Sequence, residues 1–316
     1  MAQPIVAVDL GGTSLRAALF ESDSPTPVHH TKVPTEADRG PDAVIQRIIE
    51  AIESVLPEST AEVRIGVGVP GPVDPFAGVI LEAPNIPGWK DIHLQAALQD
   101  HFKRPVRLGN DANVAALGEW RHGAGQGTRN LLYMTISTGI GGGVIADGRL
   151  LLGKRGLAAE FGHITVDPDG PLCGCGQRGH LEAVAAGPAI AREANQRLDA
   201  GQASSLKALR DSGTTISAVE IGEAAHQGDP LAVDVLRGAA ERIGDALASL
   251  LHAFNPEVIV LGGGVSLIGA PLFEPLTQTL HARAMDPAYL DGLSVKPAAL
   301  GDDAGLVGAM VLALPD

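Results

Sequence analysis

Residues 5–20 read IVAVDLGGTSLRAALF, and this stretch decides the fold class of the chain. Ile5 to Leu10 is a compact apolar run rich in β-branched residues, Gly11-Gly12-Thr13 interrupts it, and Leu15 to Phe20 resumes it. Short apolar runs that are separated by glycine predict strands joined by a tight turn. We therefore expect the chain to open with a strand, a glycine turn and a second strand.

The same arrangement returns at residues 131–151, LLYMTISTGIGGGVIADGRLL. One apolar run leads into Thr138-Gly139-Ile140-Gly141-Gly142-Gly143, a second follows, and Asp147-Gly148 is typical of a hairpin turn. The two halves of the chain look like distant copies of one unit.

Helical patterns alternate with these strands. The segment DAVIQRIIEAIESVL (42–56) has the spacing of one helix face, with apolar residues at Val44, Ile45, Ile48, Ile49, Ile52 and Val55. Strands are also predicted in EVRIGVGV (62–69) and EVIVLGGGV (257–265), a helix in VAALGEW (114–120), and mostly helix from Ala183 to Phe254. This alternation predicts an α/β protein.

Composition excludes several classes of partner. The 316 residues suffice for roughly two domains. A formal charge of −14 disfavours nucleic acid and anionic membrane. The N-terminus lacks the basic start of a secretory signal, and the longest apolar run, GLVGAMVLAL, is too short to span a bilayer. Two cysteines in a chain of this length indicate a reducing cytoplasm, where thiols more often bind metal than form a disulfide.

The two glycine turns are candidates for phosphate binding. Without side chains, backbone N–H groups can converge on phosphate oxygens, while Asp9 would hold magnesium or its water and Thr13 would donate a hydroxyl. A plainer interpretation stays open, in which glycine merely supplies a positive φ to tight hairpins. A third run, Gly262-Gly263-Gly264, favours phosphate binding.

Two motif matches are rejected. Gly66 to Gly71 fits the dinucleotide motif GxGxxG, but the prolines that follow prevent the required helix. Gly148 to Lys154 fits the GxxxxGK of a phosphate loop, but Arg155 stands where the magnesium-binding hydroxyl is needed.

Asn110-Asp111-Ala112-Asn113 precedes an apolar helical pattern. Asp111 has two possible roles. Spacing alone favours an N-cap, which contributes about 1 kcal/mol. The alternative is a carboxylate that accepts a hydroxyl proton during phosphoryl transfer.

Both cysteines lie between two histidines in GHITVDPDGPLCGCGQRGH (162–180). His163, Cys173, Cys175 and His180 provide two nitrogen and two sulfur ligands, a set suited to tetrahedral zinc. A disulfide within Cys-x-Cys would be badly strained. The other interpretation is two unpaired thiols in a glycine-rich loop, flanked by Glu160 and Glu182 as ordinary solvated carboxylates.

Taken together, these motifs resemble the ROK family of sugar kinases and repressors, and most closely its bacterial glucokinases. The resemblance runs nearly end to end, through DLGGTSLRAALF, GVPGPVD, APNIPGW, GNDANVAALGEW, TGIGGGV, AEFGH, CGCGQRGHLE, LGGGV and GDDAGLVGA. It implies the actin-like ATPase (ribonuclease H-like) fold, with two domains, a duplicated plan and a cleft between the domains.

The resemblance also implies a role for each matching position. Asp111 would accept the proton of the 6-hydroxyl of glucose while ATP donates the phosphoryl group, and Asp9 would face magnesium. The residues expected to bind sugar hydroxyls are Asn85, Asn110, Glu160, His163 and Glu182. The residues expected to hold ATP are Gly11, Gly12, Thr13, Thr138, Gly139, Gly141 and Gly142 on the phosphate side and Gly262, Gly263 and Gly264 on the adenosine side.

One position departs from the family pattern. The usual cluster is Cys-x-Cys-Gly-x-x-Gly-Cys-x-Glu, and His180 replaces its third cysteine. An imidazole nitrogen is an acceptable zinc ligand but lies farther from the backbone than a cysteine sulfur, so a shift of the loop is expected. We expect the metal to staple the loop and to fix the carboxylates that bind the sugar.

Other assignments within the family remain open. If its pocket differs from that of a glucokinase, the chain would be a kinase for mannose, fructose or an N-acetylated amino sugar. A sugar-responsive repressor would need a DNA-binding domain, which we do not expect because the first strand begins almost at Met1. Polyphosphate as donor is disfavoured because no Lys/Arg track is present. We expect a cytoplasmic homodimer or homotetramer in glycolysis, with one domain at 1–118 plus 298–316 and the other at 119–297.

Overall fold

The computed structural model describes residues 3–56, 63–83 and 86–315. The chain forms two compact units. The first comprises 1–129, 143–159 and 298–316, and the second comprises 130–142 and 160–297. This division assigns 119–129 and 143–159 to the first unit, whereas the sequence prediction placed them in the second.

The strands and helices alternate along the described chain. The strands are β1 (Ile5–Leu10), β2 (Ser14–Phe20), β3 (His29–Pro34), β4 (Arg64–Val69), β5 (Val73–Asp74), β6 (Val79–Glu82), β7 (Lys90–Ile92), β8 (Val106–Asn110), β9 (Leu131–Ile136), β10 (Ile140–Ala146), β11 (Arg149–Leu150), β12 (Val258–Gly262) and β13 (Ser294–Pro297). The helices are α1 (Pro41–Val55), α2 (Leu94–Phe102), α3 (Asp111–His122), α4 (Leu181–Ala185), α5 (Gly187–Asp199), α6 (Leu206–Asp211), α7 (Ala218–His226), α8 (Pro230–Phe254), α9 (Ala270–Arg283) and α10 (Ala304–Ala313).

The predicted strand-turn-strand opening is confirmed. β1 and β2 pair antiparallel from Ile5 opposite Phe20 to Leu10 opposite Leu15. The sheet has the order β3-β2-β1-β4-β8, with β1, β4 and β8 parallel. Because the carboxyl ends of parallel strands meet at one edge, the residues that follow β1, β4 and β8 gather there.

Alternate residues of β1 enter two different cores, as the period of a strand requires. Val6, Val8 and Leu10 pack with α1 and α2 on one face of the sheet. Ile5 and Ala7 pack with α10 on the other face. Helices therefore cover both faces of a mixed sheet, the α/β arrangement expected from the sequence.

Helices α3 and α10 approach closely because glycines lie between them. A side chain at Gly118 would begin 2.7 Å from the carbonyl oxygen of Ala304. A side chain at Gly308 would overlap the carbonyl group of Val114. The two helices therefore pack backbone against backbone and behave as one layer.

The second sheet repeats the plan of the first. Its order is β11-β10-β9-β12-β13, so its first strand in sequence again lies between an antiparallel hairpin and two parallel strands. The boundary between the units falls within β10, between Gly142 and Gly143. Asp147 and Gly148, both with positive φ, form the predicted hairpin turn.

The region from Ala183 to Phe254 is mostly helical, as predicted. Its longest helix, α8, begins after the cap residue Asp229 and ends at Phe254, before Asn255, which adopts the left-handed conformation. Within the described ranges, no helix combines the length and apolarity needed to cross a membrane.

Candidate active site and metal centre

The first glycine turn is held from outside by Thr35. The Thr35 hydroxyl donates to the Gly11 carbonyl oxygen (2.6 Å). The backbone N–H of Thr35 donates to the carbonyl oxygen of Thr13 (2.9 Å). Neither Gly11 nor Gly12 has a positive φ, so the plainer interpretation of this turn is wrong. A side chain at Gly11 would instead crowd the carbonyl oxygen of Ser14, at 3.0 Å.

Asp9, at the end of β1, is paired with Arg16. The Arg16 guanidinium donates to Oδ2 of Asp9 through Nη2 (2.6 Å) and Nε (3.1 Å), and also to Oδ1 of Asp303 (3.2 Å) and the carbonyl oxygen of Asp302. Sequence reasoning missed Arg16. The pairing could have been predicted from the tight turn between β1 and β2, because its register places Asp9 directly opposite Arg16.

The end of β8 settles which residue caps α3. Asn110 is the N-cap, since its Oδ1 accepts the backbone N–H groups of Ala112 (3.0 Å) and Asn113 (3.2 Å). Its amide also donates to the carbonyl oxygen of Gly71 (3.0 Å). Asp111 is the first residue of α3 and is exposed, so the N-cap interpretation of Asp111 is wrong. The reason is that Asn110 still pairs with Val69 and takes the last strand position.

Two other predictions concern this edge. Asn85, expected to bind a sugar hydroxyl, lies outside the described residues. The rejection of the dinucleotide motif is confirmed, because β4 leads into another strand, β5, and not into a helix.

The second glycine turn, in the second unit, contacts Glu182. The backbone N–H of Ile140 donates to Oε2 of Glu182 (3.0 Å), and a side chain at Gly139 would begin 2.6 Å from the same oxygen. Gly139, Gly141 and Gly142 have no positive φ. Glycine is required at position 139 for the close approach of a carboxylate and not for the turn itself.

The third glycine run follows β12, which pairs in parallel with β9. Gly262 lies opposite Thr135, so the turn after β9, which contains Thr138, and the run after β12 occupy the same sheet edge. Only Gly263 of this run has a positive φ, of 82°, and a side chain there would overlap Ile136. The structure thus brings the predicted phosphate and adenosine segments of the second unit together.

The four predicted metal ligands converge. The ligand atoms of His163, Cys173, Cys175 and His180 all lie within 4.8 Å of one another. The Cys173 sulfur is 3.8 Å from Nδ1 of His163, and the Cys175 sulfur is 3.2 Å from Nδ1 of His180. Zinc bond lengths of about 2.0–2.3 Å give tetrahedral edges of roughly 3.3–3.8 Å, so this donor set fits zinc.

His180 reaches the cluster through Nδ1, the ring nitrogen nearer the backbone. This choice reduces the difference in reach between histidine and the cysteine it replaces. A bridge between Thr165 and His180 and a tight turn closed by Cys173 N–H donating to Gln177 oxygen (2.7 Å) hold the loop from both sides. These backbone contacts fix the loop that presents the four donors.

The surroundings of Cys173 also favour a cation. Burial raises the pKa of its thiol, a hydrogen bond from the Cys175 backbone lowers it, and the Cys175 side chain and the Glu182 carboxylate raise it further. The sulfur lies 3.8 Å from Oε1 of Glu182. A thiolate at this position therefore needs a positive charge beside it, which a divalent metal would supply.

Glu160 and Glu182 are two carboxylates that neighbour the cluster: Glu182 lies beside Cys173, and Glu160 interacts electrostatically with His163. Desolvation raises the pKa of the Glu160 carboxyl group, and Glu182 raises it further, while His163 lowers it. Nδ1 of His163 is turned toward Cys173, so the other ring nitrogen, Nε2, points away from the cysteine on this exposed side chain. Glu160 and His163 are exposed, and Glu182 is partly exposed with its Oε2 bound to the Ile140 N–H.

The predicted residues fall into two groups. The first unit contains Asp9, Gly11, Gly12, Thr13, Asn110 and Asp111, and the second unit contains Thr138, Gly139, Gly141, Gly142, Glu160, His163, Cys173, Cys175, His180, Glu182, Gly262, Gly263 and Gly264. Within each unit the residues gather at the carboxyl edge of parallel strands or around the metal cluster.

Residues 5–315 match the ROK family. The glucokinase of Halalkalibacterium halodurans is 40% identical over 308 residues, which cover 96% of this chain and 92% of the relative. The glucokinase of Thermotoga maritima is 37% identical over 305 residues, with 96% and 95% covered. The crystal structure of a ROK family glucokinase from Streptomyces griseus in complex with glucose and AMPPNP has a TM-score of 0.81 at 36% identity, covering 98% of this chain and 99% of that one.

These similarities confirm the predicted fold class, an α/β protein of the actin-like ATPase fold with a duplicated plan. The chain belongs to the ROK family.

Proposed function

We propose that the protein is an ATP-dependent glucokinase, a hexose kinase that transfers the γ-phosphoryl group of ATP to the 6-hydroxyl of glucose. Two glucokinases match this chain at 40% and 37% identity over nearly their whole length. The observation that carries the proposal is the exposed carboxylate of Asp111 at the start of a helix that Asn110 already caps. The helix does not need Asp111 as its cap, which supports a chemical role for this residue.

Asp111 is the proposed base. As the 6-oxygen of glucose forms its bond to the γ-phosphorus, the bond from that phosphorus to ADP breaks, and the hydroxyl proton passes to the Asp111 carboxylate. In such a transfer the protein contributes mostly positioning and electrostatic stabilisation. The cap that Asn110 provides fixes the first turn of α3 and thereby the position of the base.

The proposed sugar ligands are Asn85, Asn110, Glu160, His163 and Glu182. Carboxylate and imidazole groups at the metal loop would accept or donate hydrogen bonds to the ring hydroxyls, and sites of this kind discriminate strongly among hydroxyl patterns. Asn110 can contribute one amide N–H, because its oxygen caps α3 and its other N–H binds Gly71.

The proposed nucleotide ligands are the turns at 11–13 and 138–142, with 262–264 on the adenosine side. Their glycines leave backbone N–H groups accessible to phosphate oxygens. Magnesium, when bound with ATP, would neutralise phosphate charge. Asp9 is the carboxylate that we propose faces the magnesium ion, and Arg16 donates a hydrogen bond to its Oδ2.

We propose zinc as the structural metal of the loop, with His163, Cys173, Cys175 and His180 as ligands. The donor set and its spacing support this choice. Because Cys173 also lies near Glu182, the metal would fix one of the proposed sugar ligands as well as the loop.

The proposal is tested by ADP release from MgATP with a panel of hexoses and hexosamines, and by identification of the phosphorylated carbon. We expect release with glucose and glucose 6-phosphate as product. Release with mannose, fructose or an N-acetylated amino sugar alone would correct the substrate and keep the reaction class. No release with any sugar would overturn the kinase assignment.

Gly139→Ala tests the placement of Glu182 from the nucleotide side. The new methyl group would displace the Glu182 carboxylate, the end of a flexible side chain, at little cost in stability. Losing a hydrogen bond to a charged group, worth about 1.5–3 kcal/mol, would raise the glucose KM by about tenfold or more. Gly238→Ala, in the same unit with open space around its Cβ position, is the control and should leave KM unchanged. An unchanged glucose KM in Gly139→Ala would remove Glu182 from the sugar site.

A further inference from the structure

Glu119 is a fully buried carboxylate that the proposed chemistry does not use. Its exposure is 0%, and it lies near the end of α3. Oε2 accepts the backbone N–H groups of Ala124 (2.8 Å) and Ala299 (3.0 Å), and Oε1 accepts that of Leu300 (2.8 Å). Three charge-assisted hydrogen bonds to backbone make this a rigid connection.

The three donors lie close to points where the chain passes between the units. The chain makes these passages at 129/130, 142/143, 159/160 and 297/298. Ala299 and Leu300 follow the last passage directly. Ala124 lies in the segment 123–129, which leads from α3 to the first passage. One carboxylate therefore holds the first-unit ends of two of the four connections.

Three further hydrogen bonds hold the segment 123–129 against α3. The carbonyl oxygen of Glu119 accepts the N–H groups of Gly123 (3.1 Å) and Gly125 (2.9 Å). The indole N–H of Trp120 donates to the carbonyl oxygen of Thr128 (2.8 Å). A side chain at Gly123 would overlap Oε2 of Glu119, so glycine at this position is what admits the carboxylate.

The same helix carries the proposed base at its other end. Asp111 and Glu119 are eight residues apart, about 12 Å along a stiff helix. Close packing of Gly118 against Ala304 prevents α3 from shifting independently of α10. A displacement of either connection would therefore be transmitted to the helix that presents Asp111.

We propose that Glu119 is a positioning residue for phosphoryl transfer, which ties the helix of the base to two of the connections between the units. This proposal rests on the proposed function. It predicts that loss of the Glu119 contacts impairs turnover more than it impairs sugar binding, because the base depends on α3 and the metal-loop sugar ligands do not.

The test is Glu119→Gln, with Asp229→Asn as the matched control. An amide at 119 cannot accept all three N–H groups, because its nitrogen is a donor. Asp229 is also a buried carboxylate that binds backbone N–H groups, of Ser205 (2.6 Å) and Ala232 (3.0 Å), but it caps α8. The measurements are Tm, kcat, the Kd of glucose by calorimetry without nucleotide, and the tryptophan fluorescence change on adding glucose, which Trp120 beside Glu119 should report.

We expect Glu119→Gln to lower kcat by about tenfold or more, with the glucose Kd within about threefold of wild type and an altered fluorescence response. Asp229→Asn should lower Tm similarly and keep kcat within about twofold. A Glu119→Gln protein that loses Tm but keeps kcat and the fluorescence response would overturn the proposal.

If Glu119→Gln does not fold, Gly123→Ala provides the second variant, because it displaces the carboxylate without removing its charge. It should lower kcat in the same way, and an unchanged kcat would overturn the proposal. A failure of the proposed function would be recognised separately, because the wild-type protein would then phosphorylate no sugar.

Discussion

Asp111→Asn is expected to lower kcat by about 10²–10⁴-fold, the usual contribution of a general base, while the glucose Kd stays near its wild-type value. The amide is nearly isosteric with the carboxylate but cannot take the proton of the 6-hydroxyl. Asn110 caps α3, so the helix and the sugar ligands of the second unit stay in place. Single-turnover and steady-state ADP release, together with calorimetric titration of glucose, measure the two quantities.

Asp42→Asn is the matched control for the loss of a charge at a helix start. Asp42 is an exposed acid in the first turn of α1, in the same unit as Asp111. Both changes remove a carboxylate that interacts favourably with the helix dipole, worth about 0.3–1 kcal/mol of stability. Both variants should therefore show a similarly small loss of Tm, and only Asp111→Asn should lose turnover. Undiminished turnover in Asp111→Asn would leave this residue a helix-terminal charge without a chemical role.

Cys173→Ser is expected to remove the proposed zinc and with it most of the sugar affinity. Changes to groups that only support a metal ligand already cost about 10–100-fold in metal affinity or activity, so loss of a thiolate ligand should cost at least as much. The effect should extend to Glu182, whose Oε1 lies 3.8 Å from the Cys173 sulfur. We expect zinc content to fall from about one per chain to near zero and the glucose KM to rise by at least about tenfold.

His180→Cys is the informative control for the metal site. It restores the family's usual third cysteine and keeps a zinc ligand, so it should retain the metal and most of the activity. Metal analysis of protein purified without chelator reads the outcome directly. Wild-type protein that is active and contains no zinc would contradict the proposal of a zinc-ordered sugar site. The loop backbone alone would then position the sugar ligands.

These predictions separate the contributions of the two units. Asp111 and Glu119 belong to the first unit, and their substitution should act on turnover. Gly139 and Cys173 belong to the second, and their substitution should act on sugar affinity. A kcat effect from the first pair and a KM effect from the second would assign the base and its positioning to the first unit and the sugar contacts of the metal loop to the second.

The sequence by itself determined the elements whose signals are local. Compact apolar runs separated by glycine predicted β1 and β2 almost to the residue, because strand composition and turn chemistry are encoded within a few positions. The four metal ligands lie within 18 residues, from 163 to 180, so spacing and donor type sufficed to group them. The extended resemblance supplied the fold class, because its many motifs occur in a fixed order.

Tertiary structure alone decided the rest. Whether Asn110 or Asp111 caps α3 depends on where β8 stops pairing with β4, and a one-residue choice of this kind leaves no trace in periodicity. The partners of Glu182 and Glu119 lie 42 and about 180 residues away, at Ile140 and at Ala299 and Leu300. Each of these contacts joins a carboxylate to a backbone N–H. Every residue except proline carries that group, so the sequence cannot single out the partner until the fold brings it near.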